Sequence, residues 1–268
     1  MENQIQDIIT KALVVAREAG TFLRNEIGRI SHKDIQTKGT HDFVTYVDKT
    51  SESILVEKLK QITPNAGFIT EEKTVKTELN KELVWIIDPL DGTTNYIHKL
   101  APYSISIALL QNNKLCGGII YEVSHNEMFY AWKNGGAFLN GNQIKVSNTS
   151  KVYDSLIATG FPFRDYSLLD NYMNTLKYFM EKSLGLRRLG SAAVDLAYVA
   201  CGRFDAFYEY SLKSWDVAAG AFIVQEAGGK ISDFKGGENY LFGEEIIAAN
   251  SLIYNEFSTI IKNILFKK

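Results

Sequence analysis

The segment Leu83-Val84-Trp85-Ile86-Ile87-Asp88-Pro89-Leu90-Asp91-Gly92 constrains this chain more than any other. Five apolar residues in a row have the length of a β-strand, and they stop abruptly at a stretch that carries Pro, Gly and two acids. Carboxylates therefore stand where a strand ends. In a continuous strand, residues three apart point to opposite faces, so Asp88 and Asp91 converge only if the chain turns between them, and Pro89 and Gly92 supply such a turn. Two carboxylates brought together repel unless they are protonated or bridged by a cation, and oxygen-only ligands select a hard ion, Mg²⁺ or Mn²⁺. Leu90 can add its backbone carbonyl. Gly92-Thr93-Thr94 follows with backbone N–H groups free of a Cβ at Gly92 and with two hydroxyls, in the manner of a loop that cradles phosphate. The same residues also fit a solvated acidic turn with a threonine cap, because turns collect Asp, Gly and Thr. Its companions along the chain decide.

Around this segment the pattern alternates between helix and strand. Apolar residues at Ile5, Ile8, Ile9, Ala12, Leu13, Ala16, Ala19 and Leu23 predict an opening amphipathic helix. A turn at Lys38-Gly39-Thr40, a strand over Asp42 to Val47 and a helix through Ile54, Leu55, Leu59 and Ile62 follow, the last ended by Pro64-Asn65. Gly67-Phe68-Ile69-Thr70 predicts a short strand running into Glu71-Glu72. Tyr103 to Leu110, Gly117 to Tyr121 and Glu127 to Trp132 predict successive antiparallel strands, with Asn134-Gly135-Gly136 and Asn140-Gly141 as turns. Helices are expected over Leu168 to Met180, Ala192 to Cys201, Asp216 to Ala227 and Glu256 to Phe266, and a strand over Phe204 to Tyr208. The mixture predicts layered α/β packing. With 268 residues and 46% hydrophobic content, the chain reads as a single unit over 1–268, with a soft boundary near residue 150 between an α+β first half and an α/β second half.

Charge and cysteine usage exclude several classes. A formal net charge of -2 builds in no general attraction to nucleic acid or to an anionic membrane, so neither is an expected partner. Cys116 and Cys201 lie far apart without CxxC spacing, and none of His32, His41, His98 and His125 forms an HxxxH pair, which argues against a disulfide framework and against zinc. The first residues carry acids rather than a basic leader, and no apolar run reaches the roughly 18 residues of a membrane span. A cytoplasmic protein is expected.

Four further motifs accompany the central one. Phe68-Ile69-Thr70-Glu71-Glu72 precedes it, Leu189-Gly190-Ser191-Ala192-Ala193 and Gly202-Arg203-Phe204-Asp205 follow, and Trp215-Asp216-Val217-Ala218-Ala219-Gly220 leads to Glu226-Ala227-Gly228-Gly229. Taken singly, Glu71-Glu72 fits a solvated pair and Asp216 a helix N-cap. Together with Asp88-Pro89-Leu90-Asp91-Gly92-Thr93-Thr94-Asn95-Tyr96-Ile97-His98, and in this order, they resemble the signatures of the inositol monophosphatase family nearly end to end. Leu90, Tyr96 and Thr70 depart mildly from the commonest family wording, at isoleucine, phenylalanine and glycine.

The resemblance implies an αβαβα five-layer sandwich of the inositol monophosphatase and fructose-1,6-bisphosphatase type, commonly a homodimer, with Mg²⁺-dependent and lithium-sensitive phosphomonoesterase activity. By resemblance Glu71, Asp88 and the Leu90 carbonyl hold one Mg²⁺, and Asp88, Asp91 and Asp216 hold a second, with a third, weaker ion beside Glu71 and Mn²⁺ as a substitute. Thr93 with Glu71 orients and deprotonates the attacking water, and Asp48 keeps the Thr93 hydroxyl poised. The amides of Gly92 and Thr93 hold phosphate oxygens. Lys38 resembles the family's basic residue near the metals and also fits an exposed turn lysine. Gly190, Ser191 and Ala192 match the segment lining a polyol pocket, and Glu209 matches an acid that accepts polyol hydroxyls, against a helix cap for Ser191 and an ordinary surface acid for Glu209. Tyr208 and Tyr210 are assigned to packing.

The expected substrate is inositol monophosphate or a related small phosphomonoester. Fructose 1,6-bisphosphate, 3'-phosphoadenosine 5'-phosphate, the 2'-phosphate of NADP and histidinol phosphate stay open, because the metals touch only the phosphate end. A reading of another class is a regulatory binding protein that contacts transcription or ribosome-assembly machinery, with catalysis incidental. Its basic patch would have to come from Arg187-Arg188 and Lys267-Lys268, pairs that are usually solvated or paired within a protein.

Overall fold

Side chains alternate along the strand Leu83–Asp91, sending Val84 and Ile86 to one face and Trp85 and Ile87 to the other, and all four are buried. A strand buried on both sides needs a covering layer on each. The computed structural model, which describes residues 2–30, 33, 36–39, 42–162 and 165–266, shows both layers and a second sheet beyond one of them.

The chain runs α1 (Glu2–Glu26), β1 (Gln36–Gly39), β2 (Asp42–Val44), α2 (Tyr46–Ile62), β3 (Gly67–Thr70), β4 (Leu83–Asp91) and α3 (Thr93–Ile97). A run of strands follows: β5 (Ser104–Gln111), β6 (Lys114–Glu122), β7 (Glu127–Trp132), β8 (Gly136–Leu139) and β9 (Asn142–Ile144). The rest is β10 (Leu156–Thr159), α4 (Leu169–Lys182), β11 (Gly185–Arg187), α5 (Ala192–Ala200), β12 (Ala206–Tyr210), α6 (Ser214–Glu226), β13 (Lys230–Ser232), β14 (Glu245–Ala249) and α7 (Tyr254–Leu265). Strands β3 to β9 form a seven-stranded sheet in sequence order, with only β3 and β4 parallel. The five-stranded sheet has the order β11-β10-β12-β14-β13.

Three apolar cores separate the layers. Ile9, Ala16 and Leu23 of α1 and Leu55 and Leu59 of α2 close over Trp85, Ile87, Ile105 and Ile107. On the other face, α5 and α6 fill the space between the sheets, from Val84, Ile86 and Ala108 to Phe207, Ile246 and Ala248. Beyond the second sheet, Phe179 of α4 and Phe257 and Ile261 of α7 cover Tyr208, Ile247 and Ala249. The order is α, β, α, β, α, the sandwich that the resemblance implies. The small residues of α6 allow the middle layer to be thin: a Cβ on Gly220 would stand 2.4 Å from Leu196 Cβ on α5. Trp85 is fully buried, and its indole N–H donates to Thr63 Oγ1 at 2.8 Å, so a large apolar body is sealed without an orphaned donor.

Local chemistry overrides the sequence pattern in several places. The strand expected over Asp42 to Val47 ends at Val44, because Thr45 caps α2: its Oγ1 accepts from the Val47 N–H at 3.1 Å, and Asp48 accepts from the Thr45 N–H at 2.8 Å. A capping box outweighs three residues of alternation. In the expected turn, Lys38 and Gly39 close β1, and Thr40 lies outside the described residues. Helix α6 starts at Ser214, two residues before Asp216, which occupies the third helical position rather than the cap. The strand expected over Phe204 to Tyr208 shifts to β12, since Phe204 joins the turn after α5.

Candidate active site

Strand β4 carries an irregularity where its acids lie. Asp88 stands opposite Ser106 and Asp91 opposite Ser104, so β4 advances three residues while β5 advances two. A bulge of this kind resets the alternation, and both carboxylates come to the face that Ser104 and Ser106 share. The convergence expected from a turn at Pro89 is thus achieved by a bulge within the strand. Proline is tolerated there because a bulge leaves a residue out of the ladder. That face looks onto α5 and α6: Ser106 Oγ donates to the Trp215 carbonyl at 3.0 Å, and Ser104 Oγ lies 3.3 Å from Ser191 Oγ.

Glu71 follows from register. Thr70 pairs with Ile87 in the parallel β3–β4 ladder, so the next residue stands beside Asp88, and the Glu71 N–H donates to the Ile87 carbonyl at 3.2 Å. The chain after it is held by Glu52 of α2. Fully buried, Glu52 accepts from the Glu72 N–H at 2.7 Å and from the Thr74 N–H at 2.8 Å. Sequence reasoning passed over Glu52, which sits between two serines on a helix without a motif around it.

Asp216 arrives from α6, its carboxylate accepting from the Lys213 N–H at 2.6 Å. One oxygen each from Asp88, Asp91 and Asp216 lie within 4.8 Å of one another. Backbone donors aim the other two acids as well: Leu90 N–H donates to Asp88 at 2.9 Å, and Ala193 N–H donates to Asp91 at 2.8 Å, joined by the Ser191 hydroxyl at 2.6 Å. Ser191 also caps α5, so both of its readings hold at once. Burial, then the charges of Glu71, Asp91 and Asp216, push the carboxyl of Asp88 well above the usual range. Burial pushes Asp91 up to about 6 against the hydrogen bonds from Ser191 and Ala193. Like charges this close demand protons or a cation. Oxygen-only donors at this spacing fit a hard divalent ion such as Mg²⁺.

The hydroxyl of Thr93 lies 3.1 Å from Asp48 Oδ1 and 3.0 Å from the Leu90 carbonyl, donating to either. The other oxygen of Asp48 accepts from the Thr45 N–H and, at 2.7 Å, from its hydroxyl, so the α2 cap that shortens β2 also orients Asp48. Burial raises the Asp48 carboxyl against these bonds. Gly92 adopts φ +90 between β4 and α3, which turns the chain so that Thr93 opens a helix directly after the acids. That short helix leaves no mark in the sequence pattern, since its five residues are too few to show periodicity.

Asp91 and Asp216 also line a small cleft of about 90 Å³ together with Gly190, Ser191, Ala192 and Glu209. Glu209 is no surface acid: it is 7% exposed, and burial raises its carboxyl well above the usual range. A Cβ on Gly160 would fall 1.9 Å from its Oε1, so Gly160 leaves the room that Glu209 occupies. Asp195, Phe161 and Leu212 complete the wall, along with Arg188, whose guanidinium lies 5.5 Å over the ring of Phe161. Arg188 is exposed, as is Arg187, and it also lines the cleft. Gly160 and Phe161 were marked only by a glycine beyond a strand too short to recognise. The side chain of Lys38 lies outside the described residues. Tyr208 and Tyr210 are packed in the outer core. No described helix is long and apolar enough to cross a membrane.

Comparison with known proteins follows the same pattern. The family model of the inositol monophosphatase family matches residues 4–264. The chain is 38% identical over 262 residues to the Nus factor SuhB of Pseudomonas aeruginosa, covering 96% of this chain and 97% of that protein. It is 37% identical over 238 residues to the inositol-1-monophosphatase of Mesorhizobium japonicum, covering 89% and 90%. The crystal structure of the extragenic suppressor protein suhB from Bartonella henselae superposes with a TM-score of 0.88 at 35% identity, over 97% of this chain and 99% of that one.

Proposed function

The chain belongs to the inositol monophosphatase family, and from that premise we propose that it is a Mg²⁺-dependent phosphomonoesterase acting on inositol monophosphate or a related small phosphomonoester. The observation that carries this reading is the convergence of Asp88, Asp91 and Asp216 within 4.8 Å at the edge of a polar cleft. Glu71, Asp88 and the Leu90 carbonyl would hold one ion, and Asp88, Asp91 and Asp216 a second. When bound, the ions supply positive charge to the phosphoryl group and acidify water.

The protein's own groups do the positioning. Because the hydroxyl hydrogen of Thr93 is directed to Asp48 or the Leu90 carbonyl, its oxygen is left to accept a hydrogen bond from a water and orient it, with the Glu71 carboxylate as the base that takes the water's proton. Asp48, locked by the α2 cap, holds that hydroxyl still. The Gly92 and Thr93 amides receive phosphate oxygens. Ser191 and the Ala193 N–H keep Asp91 turned toward its partners. Gly190, Ser191, Ala192 and Glu209 receive the organic part of the substrate, where Glu209 accepts a hydroxyl, and Lys38 adds positive charge near the phosphate. The chain works as one unit over residues 1–268, with a soft division near residue 150.

Phosphate release from inositol 1-phosphate, fructose 1,6-bisphosphate, 3'-phosphoadenosine 5'-phosphate, NADP and histidinol phosphate, with Mg²⁺, with Mn²⁺, with chelator and with added lithium, tests the reading. Metal-dependent turnover with one or two preferred substrates supports it, and absence of turnover on all five counts against it. Light scattering on the same preparation tests the proposed homodimer, and fractionation of cells tests the cytoplasmic setting.

A second reading rests on the name Nus factor SuhB carried by the Pseudomonas aeruginosa relative. Under it the chain is also a regulatory binding protein for transcription machinery, and the expectation of no nucleic-acid partner, drawn from net charge, is withdrawn. An Asp88→Asn variant that keeps the cellular role supports this second reading, and loss of the role with catalysis counts against it.

A further inference from the structure

One buried acid in the cleft has no part in the chemistry described so far. Asp195, on α5, is 1% exposed and lines the cleft together with Glu209 and Arg188. Its Oδ1 has no hydrogen-bond partner. Leaving a buried acceptor unmet costs about 1–3 kcal/mol, and native interiors contain few such atoms. Three other buried side-chain atoms among the described residues share this condition, Thr70 Oγ1, Tyr210 OH and Ser211 Oγ, but none of them belongs to a residue of the cleft wall.

The surroundings narrow what Asp195 receives. It is not part of the set formed by Asp88, Asp91 and Asp216, so geometry does not make it a ligand of the same ion. Arg188 shares the cleft and opposes a cationic ligand, while Asp91, Asp216 and Glu209 oppose an anionic one. A neutral hydrogen-bond donor satisfies all of these neighbours. Glu209 offers a second carboxylate from β12, a different element, so two acceptors address the same ligand from two supports.

We propose that Asp195 is a specificity-determining residue that accepts a hydrogen bond from a substrate hydroxyl, so that Asp195 and Glu209 together select a polyol phosphate carrying at least two free hydroxyls. This inference rests on the phosphatase reading above. It adds a residue and a substrate requirement: a phosphomonoester with a single polar contact to Glu209 leaves Asp195 unmet and is a poorer substrate.

The test measures kcat and KM with Mg²⁺ for the wild type, Asp195→Asn and Asp195→Ser on inositol 1-phosphate, on its series of deoxy analogues and on p-nitrophenyl phosphate. Both variants are carried through, with folding checked by circular dichroism, so that misfolding of one leaves the measurement intact. The expected result is a loss of kcat/KM on inositol 1-phosphate about tenfold larger than on the aryl phosphate, the size of one hydrogen bond. It falls chiefly on KM. One deoxy analogue should cost the wild type about tenfold and the variants almost nothing more, the signature of a shared contact. Equal losses on every substrate, or no analogue whose penalty depends on residue 195, overturn the inference and make Asp195 a structural acid. Failure of the wild type to hydrolyse even the aryl phosphate with Mg²⁺ overturns the phosphatase reading itself, and the inference with it.

Discussion

Asp88, Asp91 and Asp216 on one side, and Glu209 and Asp195 on the other, are acids of the same region, yet they are arranged in opposite ways. The first three converge within 4.8 Å, and each is aimed by a backbone N–H, from Leu90, Ala193 and Lys213 respectively. Glu209 and Asp195 are spread around the cleft with Arg188 among them, and Asp195 holds an unmet oxygen. Convergence that is built and held by the fold works against electrostatic repulsion, so it calls for a dication. Dispersal around a concave wall calls for several separate hydrogen-bond donors on one ligand. One region reads the phosphate end of a substrate and the other reads what the phosphate is attached to.

The sharpest way to break this division is Asp88→Asn. Removing the acid nearest to all the others should lower kcat/KM by about 10³-fold on every substrate alike, aryl phosphate included. A loss confined to inositol phosphate would erase the distinction between the two regions. Next comes Thr93→Val, which removes the hydroxyl held by Asp48 and keeps the volume; kcat should fall about 100-fold with KM little altered. A change in KM alone would place Thr93 in binding.

On the cleft side, Gly160→Ala forces a Cβ into the space of the Glu209 carboxylate. Preference for inositol phosphate over the aryl phosphate should drop about tenfold, as it should in Glu209→Gln, and thermal stability should fall by about 1–3 kcal/mol. Unchanged selectivity in both variants would refute the role given to Glu209. The smallest effect concerns stability without metal. A carboxyl raised from 3.8 to about 6, as for Asp91, contributes stability that is present below the lower value and lost as pH rises through the upper one. In chelator, Tm should therefore fall by a few degrees between about pH 4 and pH 6.5, less so in Asp91→Asn, and Mg²⁺ at pH 7.5 should restore it. Identical pH profiles for wild type and variant in chelator would show that Asp91 is not under this strain.

Legibility in the sequence followed the length and periodicity of each element. Leu83 to Ile87, the opening helix and the strands through Trp132 were readable because their apolar runs are long. Strands such as Leu156–Thr159 and Lys230–Ser232 were not, since three or four residues carry no period and exist only by pairing with neighbours remote in sequence. The same holds within the site. The acids of the central motif were legible as residues, but only the resemblance set Glu209 apart from an ordinary surface acid, and nothing local tied the exposed Arg188 to a cleft. The burial of Glu209 and the position of Arg188 at the cleft are set by the packing of α5 and β12, which no local pattern records.

What the sequence determined by itself was the chemistry available: oxygen donors grouped at the end of an apolar strand, a hydroxyl just beyond them, and a third acid near a helix start, in an order that resembles one family. What only the tertiary structure decided was orientation and environment. The bulge against β5 turned Asp88 and Asp91 to one face, the α2 cap aimed Asp48 at Thr93, and the thin helical layer brought Asp216 within 4.8 Å of both. The physical reason is range: residue types and short periods are local properties, whereas register, burial and the direction of a carboxylate arise from contacts between segments tens to more than a hundred residues apart.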